Sequence, residues 1–169
     1  IAALRKDHNY HSKILSQQRL TAALEGHRQA GEKIIFTNGC FDLLHAGHVK
    51  YLQRARKLGD LLVLGLNSDA SIRRLKGEKR PLLQQTERAQ ILAALDCVDY
   101  ITVFEEDTPA ELICLVRPTV LAKGGDYVAA EVVGREFVES YGGELVLLEF
   151  EAGKSTTNII DEVLTRYRE

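Results

Sequence analysis

The residues of this chain best suited to chemistry lie at positions 37–48, which read TNGCFDLLHAGH. His45 and His48 stand three positions apart, with Gly47 between them. At this spacing both imidazoles can share one face of the first turn of a helix, and a glycine leaves room for a phosphate or a base beside the backbone. Imidazoles donate hydrogen bonds as neutral tautomers or as cations. The pattern therefore predicts a site for a phosphate-bearing ligand.

Two other uses of the histidine pair stay open from residue types alone: capping a helix, or binding zinc. Zinc sites need three or four protein ligands. Cys40 lies within the glycine-containing turn, and no nearby cysteine or histidine completes a ligand set.

The flanking sequence places the histidines where a strand passes into a helix. The apolar run at residues 34–36 precedes the motif, and an amphipathic stretch at residues 49–58 follows it. Open parallel sheets hold phosphate groups at such a junction, beside exposed amides and the positive end of the helix dipole.

Strands and helices alternate along the rest of the chain. The predicted strands are residues 33–37, 61–66, 100–104, 119–122 and 144–149; the predicted helices are residues 16–31, 47–58, 86–94, 109–116, 131–141 and 155–166. Continuous apolar strands are typical of a parallel sheet covered on both faces. We therefore expect an α/β fold with a doubly wound five-stranded parallel sheet. Residues 1–31 are expected to form an N-terminal arm and helix, and residues 32–169 the catalytic domain.

Further polar segments are predicted to reach the same sheet edge as the histidines. They are residues 67–69, where Asp69 is expected to cap a short helix; a basic loop with Lys79 and Arg80, followed by Arg88; the turn Lys123-Gly124-Gly125-Asp126; and residues 153–158. The hydroxyl cluster Ser155, Thr156 and Thr157 would open the last helix and favours phosphate binding. An ordinary serine cap, a plain turn and a solvated loop are the open alternatives for these segments.

The composition limits the class of protein. The formal net charge is −2, so bulk attraction to nucleic acid or to an anionic membrane is not expected. No apolar run approaches transmembrane length, and no charged-then-apolar leader is seen at the N-terminus. The three cysteines are widely spaced and odd in number, which suits a reducing cytoplasm.

Taken together, the motifs resemble those of the heptose 1-phosphate adenylyltransferases, within the cytidylyltransferase-like nucleotidyltransferase superfamily. The residues that carry the resemblance are 37–48, 66–71, 75–81, 104–109, 123–127 and 155–160. The resemblance extends from residue 33 to the C-terminus almost without gaps. It implies a Rossmann-like nucleotidyltransferase fold and transfer of AMP from ATP to D-glycero-β-D-manno-heptose 1-phosphate. The products would be pyrophosphate and ADP-heptose, the latter for the lipopolysaccharide inner core.

The resemblance also implies roles for individual residues. The expected catalytic residues are His45, His48, Lys79 and Arg88. The expected nucleotide-binding residues are Thr37, Asn38, Gly39, Cys40, Phe41, Asp42, Gly47, Lys123, Gly124, Asp126, Ser155, Thr156 and Thr157. Mg²⁺ is expected on the phosphates of ATP, with Asp42 touching it through water. A homodimer or higher oligomer is expected, and a kinase domain precedes this domain in related bifunctional proteins.

Other functions stay open beside this one. One is a different nucleotidyltransferase, such as a glycerol-3-phosphate cytidylyltransferase or a GDP-heptose-forming enzyme; another is a non-catalytic nucleotide-binding module. Bacterial glycerol-3-phosphate cytidylyltransferases carry RTEGISTT before the last helix, whereas residues 150–157 read FEAGKSTT here. Because that arginine is absent, the sequence favours ATP over CTP.

Overall fold

A sheet of five parallel strands forms the centre of the computed structural model, which describes residues 9–125, 128–149 and 156–168. The strands are β1 (Ile34–Gly39), β2 (Leu61–Asn67), β3 (Tyr100–Phe104), β4 (Val120–Gly124) and β5 (Glu144–Leu148). The α-helices are α1 (Gln17–Gln29), α2 (Ala46–Arg56), α3 (Asp69–Lys76), α4 (Gln85–Ala93), α5 (Ala110–Val116), α6 (Arg135–Ser140) and α7 (Thr156–Tyr167). The predicted α/β class and parallel sheet are confirmed.

The apolar strands are covered on both faces. On one face, α2 and α4 contribute residues such as Leu52 and Leu92 to a core that includes Leu62 and Leu64. On the other face, α1, α5 and α6 pack against a second set of strand residues that includes Phe36. Burying each large aliphatic side chain contributes about 1.5–3 kcal/mol to folding. The sheet is therefore doubly wound, and α1 shares the core of the remainder of the chain.

The strand order β3-β2-β1-β4-β5 puts a topological switch point between β1 and β4. The chain proceeds outward from β1 to β3 and then returns to place β4 on the other side of β1. Crossovers on the two sides cover opposite faces, so a crevice opens at the carboxyl ends of β1 and β4. Ligands of open α/β sheets bind in such crevices.

Local structure departs from the sequence prediction at two helix starts. Ser68, rather than Asp69, caps α3, and its side chain accepts a hydrogen bond from the Ser71 amide. The helix predicted for residues 131–141 is a 3₁₀ turn, Ala129–Glu131, followed by the short α6. Gly134, with φ of 86°, separates the two, because this backbone conformation does not continue a helix.

The segment before α1 adds to the sheet at its β3 end. Ile14 forms a parallel bridge with Ile101, and the Leu15 amide donates to the Ile101 carbonyl at 2.8 Å. Lys13 donates from Nζ to the Leu95 carbonyl at 3.0 Å. None of the helices in the described ranges is both long and apolar enough to cross a lipid bilayer.

Candidate active site

A cleft of about 440 Å³ lies at the switch point of the sheet. Its lining comes from the carboxyl ends of β1, β2 and β4, the start of α2, the end of α3, and the segments after β3 and before α6. Its lining includes Asn38, Gly39, Cys40, Phe41, His48, Tyr51, Asn67, Leu75, Lys76, Asp107, Thr108, Lys123 and Gly124. Most of the predicted motif at residues 37–48 therefore faces this cleft or supports it.

The two histidines stack on one face at the start of α2, as their spacing predicts. Their ring centroids are 3.8 Å apart and the rings are inclined by 25°. His45 is the N-cap residue in an extended conformation, and His48 lies in the first turn and lines the cleft. Burial, and secondarily the neighbouring His45, lower the pKa of His48 to about 4. His48 is therefore a neutral imidazole with one N–H at pH 7, and the Leu43 backbone, whose hydrogen bond acts to raise the pKa, competes with a ligand for it.

The turn between β1 and the histidines has a demanding backbone. Phe41 adopts φ of 45°, which is uncommon for a bulky residue. Its ring lies 5.1 Å from that of His48, centroid to centroid. A Cβ at Gly39 would approach the Phe41 ring to 2.9 Å, so glycine is needed there. Burial raises the pKa of the neighbouring Cys40 thiol, which suits a packing residue more than a nucleophile.

Lys123 brings a cation to the switch point itself. It is the penultimate residue of β4, and its Nζ donates to Oδ1 of Asn38, the penultimate residue of β1. Burial lowers the pKa of Lys123 to about 8, so most of the ammonium remains charged at pH 7. Gly124 lines the cleft beside it, and the predicted Asp126 lies outside the described residues.

Thr37, a predicted nucleotide-binding residue, is fully buried beneath the cleft. Its hydroxyl shares a 2.6 Å hydrogen bond with the Tyr51 hydroxyl, which donates to the Ala122 carbonyl at 3.2 Å. These bonds join α2 to β1 and β4. The geometry gives Thr37 a supporting role instead of ligand contact. Tyr51 was not predicted from sequence, because its partners lie in distant segments.

Asp42, expected near a magnesium ion, is also buried, with 1% of its surface exposed. Its carboxylate accepts from Arg80 Nε at 2.5 Å and from the amides of Leu82 and Leu83 at 2.7 and 3.0 Å. Both oxygens are thus occupied by groups of the chain. These bonds connect the loop before α4 to the histidine turn and favour a structural role for Asp42 over a contact with magnesium.

Arg88, expected to face the substrate, is 1% exposed. It donates to the carbonyls of Cys40 at 2.6 Å, Asn67 at 2.9 Å and Leu83 at 3.0 Å, and to Asp69 Oδ1 at 2.7 Å. These bonds occupy four of the five N–H groups of a guanidinium. Arg88 therefore lies within the fold, and these bonds favour a structural role for it over direct contact with a ligand.

The remaining predicted residues lie farther from the cleft or outside the described ranges. Lys79 is exposed in the loop at residues 77–84 and is not part of the cleft lining. Thr156 and Thr157 begin α7 and also lie outside that lining, and Ser155 is not among the described residues. Gly47 is buried in the first turn of α2.

Lys76 and the segment after β3 are cleft residues that the predicted site omitted. Lys76 ends α3 and is exposed; its positive charge adds to the lowering of the His48 pKa and partly offsets the raising of the Cys40 pKa by burial. Asp107 and Thr108 line the same cleft, and Asp107 is paired with Arg74 at 2.7 Å. The basic run at residues 75–81 was a signal for Lys76. The described residues contain no cluster of three or more histidine, cysteine or acidic side chains suited to holding a metal ion.

The cleft and its histidines, at the crevice of a doubly wound sheet, define a nucleotidyltransferase-type site. The family model described as "Cytidylyltransferase-like" matches residues 36–161, and the chain belongs to this family. The predicted nucleotidyltransferase class is therefore confirmed.

Among curated proteins, the chain is similar to proteins named "Bifunctional protein HldE". It is 67% identical to the one from Pelobacter propionicus over 92% of this chain and 32% of the relative. It is 63% identical to the one from Geobacter sulfurreducens over 94% of this chain and 32% of the relative. The chain thus spans about a third of the length of these relatives.

Two solved structures share the fold. A lipopolysaccharide core biosynthesis protein from Thermoplasma volcanium is 26% identical, with a TM-score of 0.59 over 72% of this chain and 98% of that one. A pantoate-β-alanine ligase from Francisella tularensis is 14% identical, with a TM-score of 0.62 over 85% of this chain and 68% of that one. The second likeness concerns the fold alone.

Proposed function

We propose that this chain transfers AMP from ATP to D-glycero-β-D-manno-heptose 1-phosphate, giving ADP-heptose and pyrophosphate for lipopolysaccharide inner-core synthesis. The observation that carries the proposal is the stacked pair His45 and His48 at the switch point of the sheet. The substrate class is proposed from the resemblance of residues 37–48 and 123–127 to the heptose 1-phosphate adenylyltransferases, and the similarity to a solved lipopolysaccharide core biosynthesis protein supports it.

The reaction needs no covalent enzyme intermediate. An oxygen of the heptosyl phosphate, already anionic, attacks the α-phosphorus of ATP. The bond from that phosphorus to the bridging oxygen breaks, and pyrophosphate leaves with the electron pair. The protein must hold two polyanions together and stabilise charge that develops on the α-phosphoryl and leaving oxygens.

The cleft residues suit that task. His48 is neutral and can donate one N–H toward the α-phosphoryl oxygen without bringing a second charge. Lys123 supplies a fixed cation at the end of β4, because its amine is held by Asn38. Lys76 supplies another at the end of α3. Two ammonium groups in the lining of one cleft offset repulsion between the phosphates of donor and acceptor.

We further propose that the triphosphate extends toward α7. Thr156 and Thr157 start this helix, and Ser155 precedes it. Hydroxyls and free amides at a helix start bind phosphate, aided by the helix dipole. We propose that the β- and γ-phosphates lie on the β4 side of the cleft, because β5, the strand that precedes α7 along the chain, neighbours β4 in the sheet. Lys79 is proposed to meet the substrate phosphates from its exposed loop.

We propose that Mg²⁺ is carried on the phosphates of ATP. When bound, it neutralises charge on phosphate oxygens. The carboxylate of Asp42 accepts hydrogen bonds from Arg80 and two backbone amides. The oxygens of ATP therefore suit the ion better than Asp42 does.

The wider context is also proposed. Because the chain spans about a third of the length of its relatives, we propose that a kinase domain precedes the corresponding domain in related proteins. We also propose that the chain works as a homodimer or larger assembly. The unpaired cysteines Cys40, Cys97 and Cys114 suit the cytoplasm.

Pyrophosphate release tests the activity. The purified chain is mixed with MgATP and heptose 1-phosphate, and ADP-heptose is identified by mass spectrometry. CTP and GTP replace ATP in parallel reactions, and glycerol 3-phosphate replaces the heptose. We expect ATP with heptose 1-phosphate to give the highest kcat/KM. Equal use of CTP would contradict the adenylyl assignment. Binding of ATP without pyrophosphate release from any pair would indicate a non-catalytic module.

A further inference from the structure

Two buried ionic groups meet at the turn formed by residues 40–42, immediately before the histidines. Arg88 reaches the turn at the Cys40 carbonyl, at 2.6 Å. Asp42, inside the turn, accepts from Arg80 and from two amides that precede α4. Both side chains are 1% exposed. The turn is therefore held from both ends by α4 and by the loop leading into it.

The middle residue of that turn is the one that touches the histidine. Phe41 has φ of 45°, in the left-handed region that disfavours side chains of its size. Its ring packs against His48 at 5.1 Å between centroids. Such a conformation persists only where the surroundings determine it. Phe41 is held in this conformation by the hydrogen bonds to its two neighbours, from Arg88 to the Cys40 carbonyl and from Arg80 to the Asp42 carboxylate.

We propose that Arg88 and Asp42 are positioning residues that keep the turn at residues 40–42 in the conformation that packs Phe41 against His48. They thereby fix the pose of the imidazole. The same guanidinium bonds the Asn67 carbonyl at the end of β2 and Asp69 at the start of α3. One side chain thus fixes the histidine turn relative to two other elements around the cleft. The effect on turnover rests on the function proposed above.

The amino edge of the sheet offers a matched control. Asp99 accepts from Arg56 Nε at 2.8 Å and from the Leu62 amide at 2.7 Å. Asp42 likewise accepts from an arginine Nε and from backbone amides. Asp99→Asn therefore removes a similar ion pair at the edge opposite the histidines.

The experiment compares Asp42→Asn, Arg88→Lys and Asp99→Asn with the unmodified chain. Steady-state kinetics use MgATP and heptose 1-phosphate, and urea unfolding measures stability. NMR of histidine-labelled protein measures the pKa of His48, which His45 and Lys76 also influence. For Asp42→Asn and Arg88→Lys, we expect kcat to fall about tenfold or more, with both KM values within about twofold. The pKa of His48 should rise by about one unit as water reaches the ring. Asp99→Asn should alter stability alone.

Two outcomes overturn the proposal. One is that the folded Asp42→Asn and Arg88→Lys proteins keep kcat within about twofold of Asp99→Asn and leave the pKa of His48 unchanged. The other is a loss of kcat in Asp99→Asn as large as theirs. Should both buried variants fail to fold, Arg80→Gln removes one partner of Asp42 and is judged by the same criteria. An inactive unmodified chain would refute the proposed function, while the NMR titration still decides whether the turn positions His48.

Discussion

The two edges of the central sheet use the same kinds of side chains in different ways. At the amino edge, Asp99 pairs with Arg56, and its side chain is 32% exposed. At the carboxyl edge, Asp42 pairs with Arg80, and its side chain is 1% exposed. Desolvation makes a buried ion pair a poor source of stability compared with apolar packing. The burial of charge at the carboxyl edge is therefore better explained by the geometry it imposes.

The histidines at the two edges also differ in their surroundings. At the amino edge, His27 has partners for both ring nitrogens, Glu32 at Nδ1 and the Tyr100 hydroxyl at Nε2. At the carboxyl edge, His48 packs between two rings, and burial keeps it neutral. The first environment holds a residue in place, whereas the second prepares an imidazole for a ligand.

The largest expected difference between the edges comes from removing one histidine at a time. His48→Ala should lower kcat by roughly a hundredfold, because it removes a hydrogen bond to charge that develops in the transition state. His27→Ala should keep kcat and lose about 1–2 kcal/mol of stability, because two hydrogen bonds are lost. Pyrophosphate release and urea unfolding of both variants measure the contrast. Similar kcat values for folded His48→Ala and folded His27→Ala would contradict a catalytic role for His48.

Replacing a lysine should separate function from stability. Lys123→Met is expected to lower kcat/KM about tenfold while raising the free energy of unfolding by about 1–3 kcal/mol, because burial already disfavours the charged amine. Lys13→Met, which removes a hydrogen bond to the Leu95 carbonyl, serves as the control and should leave kcat/KM unchanged. A destabilised Lys123→Met protein would show that the ammonium contributes to folding.

The lowered pKa of His48 gives stability a defined pH dependence. Its pKa is about 4 in the folded chain, against an ordinary value of 6.5, so the unfolded chain binds the extra proton between these values. The contribution of neutral His48 to the free energy of unfolding is complete above pH 6.5 and is lost as the pH falls toward 4. Because the ring is partly exposed, the loss should be about 1–2 kcal/mol. Urea unfolding of the unmodified chain and of His48→Gln across this range should diverge; parallel curves would contradict the assignment.

The smallest effect tests the proposed contact between α7 and the triphosphate. Thr156→Val keeps the side-chain shape and removes the hydroxyl, and should raise the KM for ATP about threefold to tenfold, as expected for one hydrogen bond to a charged group. Thr165→Val on the same helix removes a bond to the Asp161 carbonyl and should leave that KM unchanged. If the KM for ATP is unchanged in both variants, the Thr156 hydroxyl does not bind the triphosphate.

Sequence patterns located the elements because local rules govern them. The strand predicted at residues 100–104 is β3 as observed, and the predicted Ser16 cap and α1 are also confirmed. The α6 region was predicted too long, because the backbone conformation of Gly134 depends on its surroundings. Continuous apolar runs predicted the parallel sheet, because such runs are typical of strands that are covered on both faces.

The site was predictable only where its residues are close in sequence. The stacking of His45 and His48 follows from their spacing. The roles of Arg88 and Asp42 depend on partners about forty to fifty positions away, and a charged residue in a motif gives no sign that it will be buried. Lys123 was predicted to reach the same sheet edge because it follows a predicted strand, whereas its bond to Asn38 depends on the strand order.

The pairing of Ile14 and Leu15 with Ile101 covers part of an edge of the sheet. β3 is at one end of the strand order, and a bare edge strand offers amides and carbonyls to any other extended chain. The segment before α1 occupies part of that edge, and a lysine beside an edge, here Lys13, acts against edge-to-edge pairing of sheets. This short stretch thus acts against aggregation at a place remote from the cleft, and its removal would expose a template for intermolecular β-pairing.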